Sequence, residues 1–209
     1  KEMKSLTSVL KVGRKVRFSL FRGLEGILAD IPCVVIESGM RSEKAFAATK
    51  QLIPLYKPSL ILDFGAAAAI SNEIEAGEIF AVQMAKDCTE FFSSWKERDP
   101  FFSNADNAPG MDPPAIKASP KVISAFRKSK GISVADAGCA DLFIQNETVK
   151  RALDNLKIQI FNYETYAVFQ AAKEANVLYG SLRVITDRAG KNAAEDFRKN
   201  AGKFLNKAA

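Results

Sequence analysis

The chain has 209 residues, a formal net charge of +6 and no histidine. Without imidazole, Ser-His-Asp and Cys-His mechanisms and histidine-ligated metal sites are excluded, so proton transfer falls to Asp, Glu, Lys, Tyr or Cys. The three cysteines are scattered and have no CxxC spacing. This argues against a disulfide framework and a zinc site, and it favours a reducing, cytoplasmic setting.

Composition predicts one soluble domain over residues 1–209. A hydrophobic content of 47% is ordinary for a globular protein. No apolar run approaches the roughly 18 residues of a membrane span. Lys and Arg are spread along the chain without alternating aromatic residues, which predicts a basic surface rather than a nucleic-acid site. We therefore expect neither nucleic acid nor a membrane as a partner.

The first quarter of the chain predicts strands followed by a helix. Residues 2–10 have the apolar spacing of a helix, and short strands are expected at 16–20 and 26–28 with a glycine-rich turn between them. Residues 33–36 form a continuous apolar run, typical of a strand buried on both faces. A helix capped by Ser42 is expected to follow, over residues 42–55.

The next segments predict a parallel sheet and an insertion. Buried strands are expected at 60–65 and 77–82, so that the order becomes strand, helix, strand, loop, strand, which is typical of an α/β fold. Residues 86–120 break this pattern with five aromatic residues among several prolines. A long insertion of this kind predicts a lid or an oligomer contact, and its aromatic content argues against disorder.

The last third of the chain predicts further alternation. Helices are expected at 120–129, 147–156 (capped by Asn146) and 193–205, and strand-like segments at 132–135 and 141–144.

Two carboxylates bracket the stretch from Phe161 to Asp187. Glu164 stands at the head of a predicted helix, and Asp187 follows a predicted buried strand at 182–186. Ligands of open α/β sheets bind beyond the carboxyl ends of the strands, so both side chains are candidates for one crevice. The alternatives are a favourable helix-dipole partner for Glu164 and a cap or turn for Asp187.

Four segments, in order, carry a resemblance to a known family. Residues 34–41 resemble a strand ending in Ser-Gly-Met/Ile-Gly before an Ala-rich helix. Residues 60–69 and 77–79 resemble a strand with a Gly-Ser/Thr-Ala-Gly turn and a later Gly-Asp-Ile/Val. Residues 141–144 resemble Asp-x-Phe-Ile, and 163–167 with 184–187 resemble Met-Glu-x-x-Ala and Ile-Ser-Asp. The set resembles the nucleoside phosphorylase superfamily, most of all its 5′-methylthioadenosine/S-adenosylhomocysteine nucleosidases.

The resemblance implies a single-domain α/β fold with a mixed, twisted central sheet and helices on both faces. It implies a purine nucleoside as the small-molecule partner, a place in nucleoside metabolism and methionine salvage, a homo-oligomer with a dimer favoured, and no cofactor or metal. In this family a strand precedes the acidic residue that matches Glu2, and that strand is missing here. We expect the sequence to be part of a longer protein, because loss of a buried strand would leave backbone groups unpaired.

The resemblance also implies three catalytic roles. Cleavage of a purine N-glycosidic bond passes through an oxocarbenium-like ribosyl group. Asp187 would protonate the purine at N7, which requires that burial raise its pKa. Glu164 would accept hydrogen bonds from the ribose 2′- and 3′-hydroxyls, and Glu2 would hold and polarise the attacking water.

Further residues are implied to bind the substrate. Phe143 would stack on the purine, the backbone of Ile144 would meet the base edge, and Tyr163 would lie beneath the ribose in place of the family's Met. Thr186 keeps a hydroxyl that would orient the catalytic carboxyl, and Phe197 would line the pocket of the 5′-substituent. For Phe143, Ile144 and Phe197 the alternative is plain core packing.

The glycine turn departs from the family pattern. Gly65 is kept, but Ala66 lacks the hydroxyl that phosphorylases use for phosphate, and Ala68 replaces a glycine. Arg41 stands where the family has glycine, and Asn162 replaces an acidic residue. These changes weaken the case for phosphorolysis, and they leave a different nucleoside open, such as a 6-oxopurine or a futalosine-like compound.

Three functions therefore stay open. The first is a purine nucleosidase that uses water. The second is a phosphate-dependent nucleoside phosphorylase in which Arg41 or the basic residues of 14–17 bind phosphate. The third is a family member that binds a nucleoside without turning it over.

Overall fold

A computed structural model describes residues 10–19 and 21–208, and helices and strands alternate along it. The strands are β1 (Lys11–Phe18), β2 (Phe21–Leu28), β3 (Ile31–Glu37), β4 (Leu60–Ala69), β5 (Ile79–Asp87), β6 (Ala115–Lys117), β7 (Ile132–Cys139), β8 (Ile160–Asn162) and β9 (Leu178–Arg188). The helices are α1 (Ser42–Tyr56), α2 (Thr89–Arg98), α3 (Pro120–Arg127), α4 (Glu147–Asn155), α5 (Thr165–Glu174) and α6 (Ala193–Ala208), with a 3-10 turn at Ala105–Asn107. None of the helices in these ranges combines the length and the apolar character that a membrane span needs. Of the helix predicted at residues 2–10, residues 2–9, and Glu2 with them, lie outside the described residues.

The strands form two sheets. β1, β2 and β3 make an antiparallel sheet, and the other six make a mixed sheet in the order β6-β5-β7-β8-β4-β9. β9 also pairs with β5, so β5, β7, β8, β4 and β9 close into a ring. The predicted α/β class with a mixed central sheet is confirmed. Because β4 and β9 are parallel neighbours, their carboxyl ends lie side by side.

The main core cluster joins strands of this ring to a helix. Val82, Ala135 and Ile185 come from β5, β7 and β9, and Phe169 comes from α5. All four are fully buried. Burying them anchors α5, whose first residue follows Glu164, against the strands of the ring.

The predicted glycine-rich turn between residues 20 and 26 is wrong. Gly23 and Gly26 lie inside β2, and the chain reverses around Ser19. A Cβ at Gly23 would lie 2.7 Å from the Val35 carbonyl oxygen, and one at Gly26 would lie 2.5 Å from that of Lys11. These glycines therefore serve close approach of neighbouring strands rather than a turn.

Two other local predictions near the first helix are also wrong. Residues 33–36 are only half-buried, because β3 pairs with β2 alone among the described strands. Ser42 is not the cap of α1: the cap position is Arg41, without a side-chain hydrogen bond. Instead the Ser42 amide donates to Asp141 Oδ1 over 2.9 Å. A carboxylate from a distant loop thus satisfies the helix start.

The aromatic insertion is partly core. Phe91, Phe92 and Trp95 lie on one face of α2 and are buried in a second hydrophobic cluster. Residues 89–98 are therefore not a lid, which corrects the sequence interpretation for this part of the segment. Phe101 beyond them is 83% exposed.

Residues 141–144 are not a strand. After β7 the chain leaves the sheet and runs as a loop to Asn146, which caps α4 as predicted by accepting the Thr148 amide over 2.7 Å. Asp141 is engaged by Ser42, and the Ile144 carbonyl accepts the Gly190 amide over 3.0 Å. These contacts take the place of the backbone hydrogen bonds that a strand would form with its neighbours.

Candidate active site

A cavity of about 460 Å³ lies along β4, next to the carboxyl ends of β8 and β9. Every predicted site residue in the described part of the chain lines it, namely Gly65, Ala66, Phe143, Ile144, Tyr163, Glu164, Thr186, Asp187 and Phe197. The structure thus brings together residues from five separate segments. Glu2 lies outside the described residues.

A β-bulge sets the direction of the Asp187 side chain. In the parallel pair of β4 and β9, Ala67 faces Ile185 and Ala68 faces Asp187, so Thr186 has no opposite residue. An extra residue of this kind re-aims the side chains that follow it. Ile185 accordingly lies in the core, whereas Thr186 and Asp187 both line the cavity.

Asp187 is a buried carboxyl with one free oxygen. The residue is 2% exposed, and its Oδ2 accepts the Thr186 hydroxyl over 2.9 Å. Oδ1 has no hydrogen-bond partner among the described residues. Burial raises the pKa of Asp187 to about 6, against the lowering effect of the Thr186 hydroxyl and with a smaller raising effect of Asp196. A carboxyl with such a pKa can give up a proton near neutral pH.

Glu164 reaches the cavity because another residue caps its helix. The Asn162 carboxamide oxygen accepts the amides of Glu164 and Thr165 over 3.0 and 2.9 Å. The Glu164 carboxylate makes no capping hydrogen bond. Burial raises the pKa of Glu164, while the nearby Arg183 guanidinium lowers it.

Sequence reasoning missed two residues of the lining, Asp63 and Arg183, which are linked to Glu164 through an ion pair. Arg183 is 2% exposed and forms ion pairs with Asp63 and, over 3.5 Å, with Glu164. A Cβ at Gly65 would lie 2.5 Å from Arg183 Nη1, so this glycine makes room for the guanidinium. The sequence carried a signal: Asp63 is the one charge in an otherwise apolar β4, and Arg183 falls within the buried strand predicted at 182–186, where a charge requires a partner.

The charge of the cavity lining is mostly negative. Its carboxylates are Glu37, Asp63, Glu164 and Asp187, and Arg183 is the single cation among the described lining residues. Arg41 is exposed and is not part of this lining.

Aromatic side chains form the other end of the cavity. Phe143 and Phe197 meet edge to face with ring centroids 6.4 Å apart, and Phe143 is 38% exposed. Plain core packing is therefore ruled out for Phe143, whereas Ile144 is buried within the second cluster. Burial raises the pKa of Tyr163 to about 12, so its hydroxyl remains protonated and able to donate.

No group of three potential metal ligands occurs among residues 10–19 and 21–208. The cavity instead offers one carboxyl poised to donate a proton, one that can accept hydrogen bonds, and a flat aromatic surface. This arrangement suits a ligand with a planar ring and hydroxyl groups.

Comparisons with known proteins identify relatives of this chain. The family model of the phosphorylase superfamily matches residues 2–209. A 5′-methylthioadenosine/S-adenosylhomocysteine nucleosidase of Staphylococcus aureus is 26% identical over 192 residues, which cover 88% of this chain and 79% of that protein.

Two solved structures illustrate the shared fold. The 5′-methylthioadenosine/S-adenosylhomocysteine nucleosidase of Neisseria meningitidis, in complex with methylthio-immucillin-A, has a TM-score of 0.81 at 16% identity and covers 98% of this chain and 89% of its own. Futalosine hydrolase of Helicobacter pylori has a TM-score of 0.82 at 14% identity, with 98% and 88% covered. Because the family model matches nearly the whole length of this chain, the chain belongs to the phosphorylase superfamily.

Proposed function

We propose that this protein is a purine nucleoside N-ribosyl hydrolase. The observation that carries the proposal is the Asp187 carboxyl, which is buried in the cavity with an unpartnered Oδ1 and a pKa of about 6. Glu164 lines the same cavity and supplies the acceptor for sugar hydroxyls.

Asp187 supplies the proton that the leaving group needs. As the C1′–N9 bond breaks, the bond electrons move to the purine and Oδ1 of Asp187 gives its proton to N7. The ribosyl group gains positive charge at this moment. Glu164, ionised and hydrogen-bonded to the 2′- and 3′-hydroxyls, stabilises that charge.

Water completes the reaction at C1′. Its oxygen bonds to C1′, one of its protons is released, and Asp187 takes up a proton from solvent, so the products are free purine and ribose. Glu2 is the expected holder of this water, by the resemblance described above. Glu2→Gln is expected to lower kcat while KM changes little, because water binding contributes little to nucleoside affinity.

Charge favours water over phosphate as the nucleophile. The described lining holds four acidic residues and one arginine, and that arginine is already paired with two of the four. A phosphate dianion would meet net repulsion there, and Ala66 offers it no hydroxyl. Strict dependence of turnover on phosphate would instead select the phosphorylase.

The substrate class follows from the relatives and from the aromatic end of the cavity. The curated relatives are 5′-methylthioadenosine/S-adenosylhomocysteine nucleosidases, and futalosine hydrolase shares the fold. We propose a purine nucleoside whose 5′-substituent lies against Phe197, with Phe143 stacked on the base. The resemblance described above implies a homo-oligomer, and we propose a homodimer, which light scattering after size-exclusion chromatography tests.

The activity test uses purified protein in phosphate-free buffer. Methylthioadenosine, S-adenosylhomocysteine, adenosine, inosine and futalosine are each incubated, and free base is measured by chromatography. Release of base from at least one of them supports the proposal. Ligand-induced thermal stabilisation without release, with or without phosphate, would support a binding protein instead.

A further inference from the structure

Asp63 is a partly buried residue of the cavity lining, and it pairs with the arginine that contacts Glu164. It lies in β4 directly opposite Ser181 of β9, and its side chain is nearly enclosed. Its Oδ2 accepts hydrogen bonds from Thr165 Oγ1 over 2.9 Å, from Ser181 Oγ over 3.1 Å and from Arg183 Nη2. One carboxylate oxygen thus links the start of α5 to β9.

The Arg183 guanidinium divides its donors unequally between two carboxylates. Nη2 donates to Asp63, and Nε donates to Thr165 Oγ1 and Ser181 Oγ over 3.0 and 3.2 Å. Nη1 reaches Glu164 Oε2 only at 3.5 Å and the Ala66 carbonyl at 3.4 Å. The close ion pair is therefore with Asp63, and the contact with Glu164 is at the limit of a hydrogen bond.

We propose that Asp63 is a positioning residue that holds the Arg183 cation away from a tight pair with Glu164, so that the Glu164 carboxylate stays available to the ribose hydroxyls. The proposal rests on the proposed function of Glu164. Without Asp63 the buried guanidinium would have one carboxylate left, and a buried cation draws its remaining partner close.

The charges around Glu164 act in opposite directions on its pKa. Burial raises it, Arg183 lowers it and Asp63 raises it, and the backbone amides of Arg41 and Tyr163 lower it. Loss of the Asp63 charge would leave the Arg183 charge uncompensated. The pKa of Glu164 should then fall, and the Glu164 carboxylate oxygens should accept hydrogen bonds from the Arg183 guanidinium.

Asp63→Asn separates this role from a merely structural one. Asn keeps the shape and an oxygen that accepts from Thr165 and Ser181, but it removes the charge. We expect KM for the nucleoside to rise about tenfold with a smaller change in kcat, as for a weakened hydrogen bond to a charged group. The acid limb of kcat/KM should move to lower pH. The control is Asp136→Asn, a carboxyl of β7 outside the cavity lining, for which neither change is expected.

A carboxyl titration makes the test independent of activity. Protein labelled with ¹³C at glutamate carboxyls is titrated by NMR, and the Glu164 signal is assigned with Glu164→Gln. A lower Glu164 pKa in Asp63→Asn supports the proposal. An unchanged pKa and KM, with only a lower Tm, would overturn it. If the wild type releases no base, the proposed function fails, while the titration still decides the role of Asp63.

A second variant covers the case in which Asp63→Asn does not fold. Asp63→Asn with Arg183→Gln removes both charges and leaves no buried cation. Because Arg183 lowers the pKa of Glu164 more than Asp63 raises it, we expect that pKa to exceed the wild-type value. A Glu164 pKa that does not rise in this double variant would contradict the coupling between Glu164 and the Asp63–Arg183 pair.

Discussion

Thr186 donates its hydroxyl hydrogen to Oδ2 of Asp187 over 2.9 Å, and the bulge in β9 places both side chains in the same cavity. One carboxyl oxygen is thereby fixed, and the other, Oδ1, has no protein partner in the described residues. The bond also opposes the effect of burial, because it favours the ionised form. Thr186 therefore holds one oxygen of the proposed proton donor in place and lowers its pKa.

Replacing Thr186 with Val tests this effect. The hydrogen bond that lowers the pKa of Asp187 is lost, so the pKa should rise above about 6. The alkaline limb of kcat/KM, where the protonated acid disappears, should move to higher pH. Thr186→Ser keeps the hydroxyl and should leave the limb in place. An alkaline limb that stays fixed in Thr186→Val would show that another group sets it.

Asp187→Asn is expected to remove activity and to raise stability above neutral pH. Asn cannot donate the proton, so kcat should fall by roughly 10²- to 10⁴-fold. The folded pKa of Asp187 lies above its ordinary value of 3.8, so folding favours the protonated form. This contribution to stability is complete below about pH 4 and is lost as pH rises through about 6. At higher pH the wild type carries a buried carboxylate that Asn avoids.

The stability difference between the two proteins should therefore grow with pH. From pH 4 to pH 8, the free energy of unfolding of Asp187→Asn should gain roughly 2–3 kcal/mol on the wild type. Thermal melts at several pH values measure this gain. A pH-independent difference would mean that the Asp187 carboxyl titrates alike in the folded and the unfolded protein, so that folding does not raise its pKa.

The sequence predicted the elements around the site better than their contacts. The positions of Glu164 at a helix start and of Asp187 at a strand end are confirmed. Both could be predicted because the hydrophobic periodicity and the terminal residues of an element are visible in the sequence. The bulge at Thr186 could not be predicted, because it arises from the register between β4 and β9. Register depends on pairing between distant segments, which one sequence does not show.

Asp63 and Arg183 show a second limit. Each was visible as a charge inside a buried strand, yet the pairing of the two required the parallel alignment of β4 with β9. For the glycines of β2 the sequence predicted a feature, a turn, that the structure does not have. Gly23 and Gly26 are common turn residues, but here neighbouring backbone fills the space of a Cβ.

Glu164→Gln tests the proposed sugar contact. The amide keeps the size of the side chain but loses the charge that would stabilise a positive ribosyl group, so kcat/KM should fall about 10²-fold or more. Glu174→Gln, at the far end of the same helix, removes an exposed carboxylate that pairs with Lys50. That variant should keep wild-type kinetics and lose at most about 0.5 kcal/mol of stability. Equal effects of the two changes would contradict a special role for Glu164.

Gly65→Ala tests the space that the Arg183 guanidinium occupies. The new methyl group would lie 2.5 Å from Nη1, so the guanidinium must shift within a buried network. We expect a loss of roughly 1–3 kcal/mol in the free energy of unfolding, as for overpacked cores. KM should also rise, because Arg183 lies against Glu164. Gly202→Ala, in open space on α6, is the matched control and should be neutral or stabilising by up to about 1 kcal/mol. Chemical denaturation with initial-rate kinetics measures both effects, and a Gly65→Ala protein with wild-type stability and KM would show that the guanidinium has room to move.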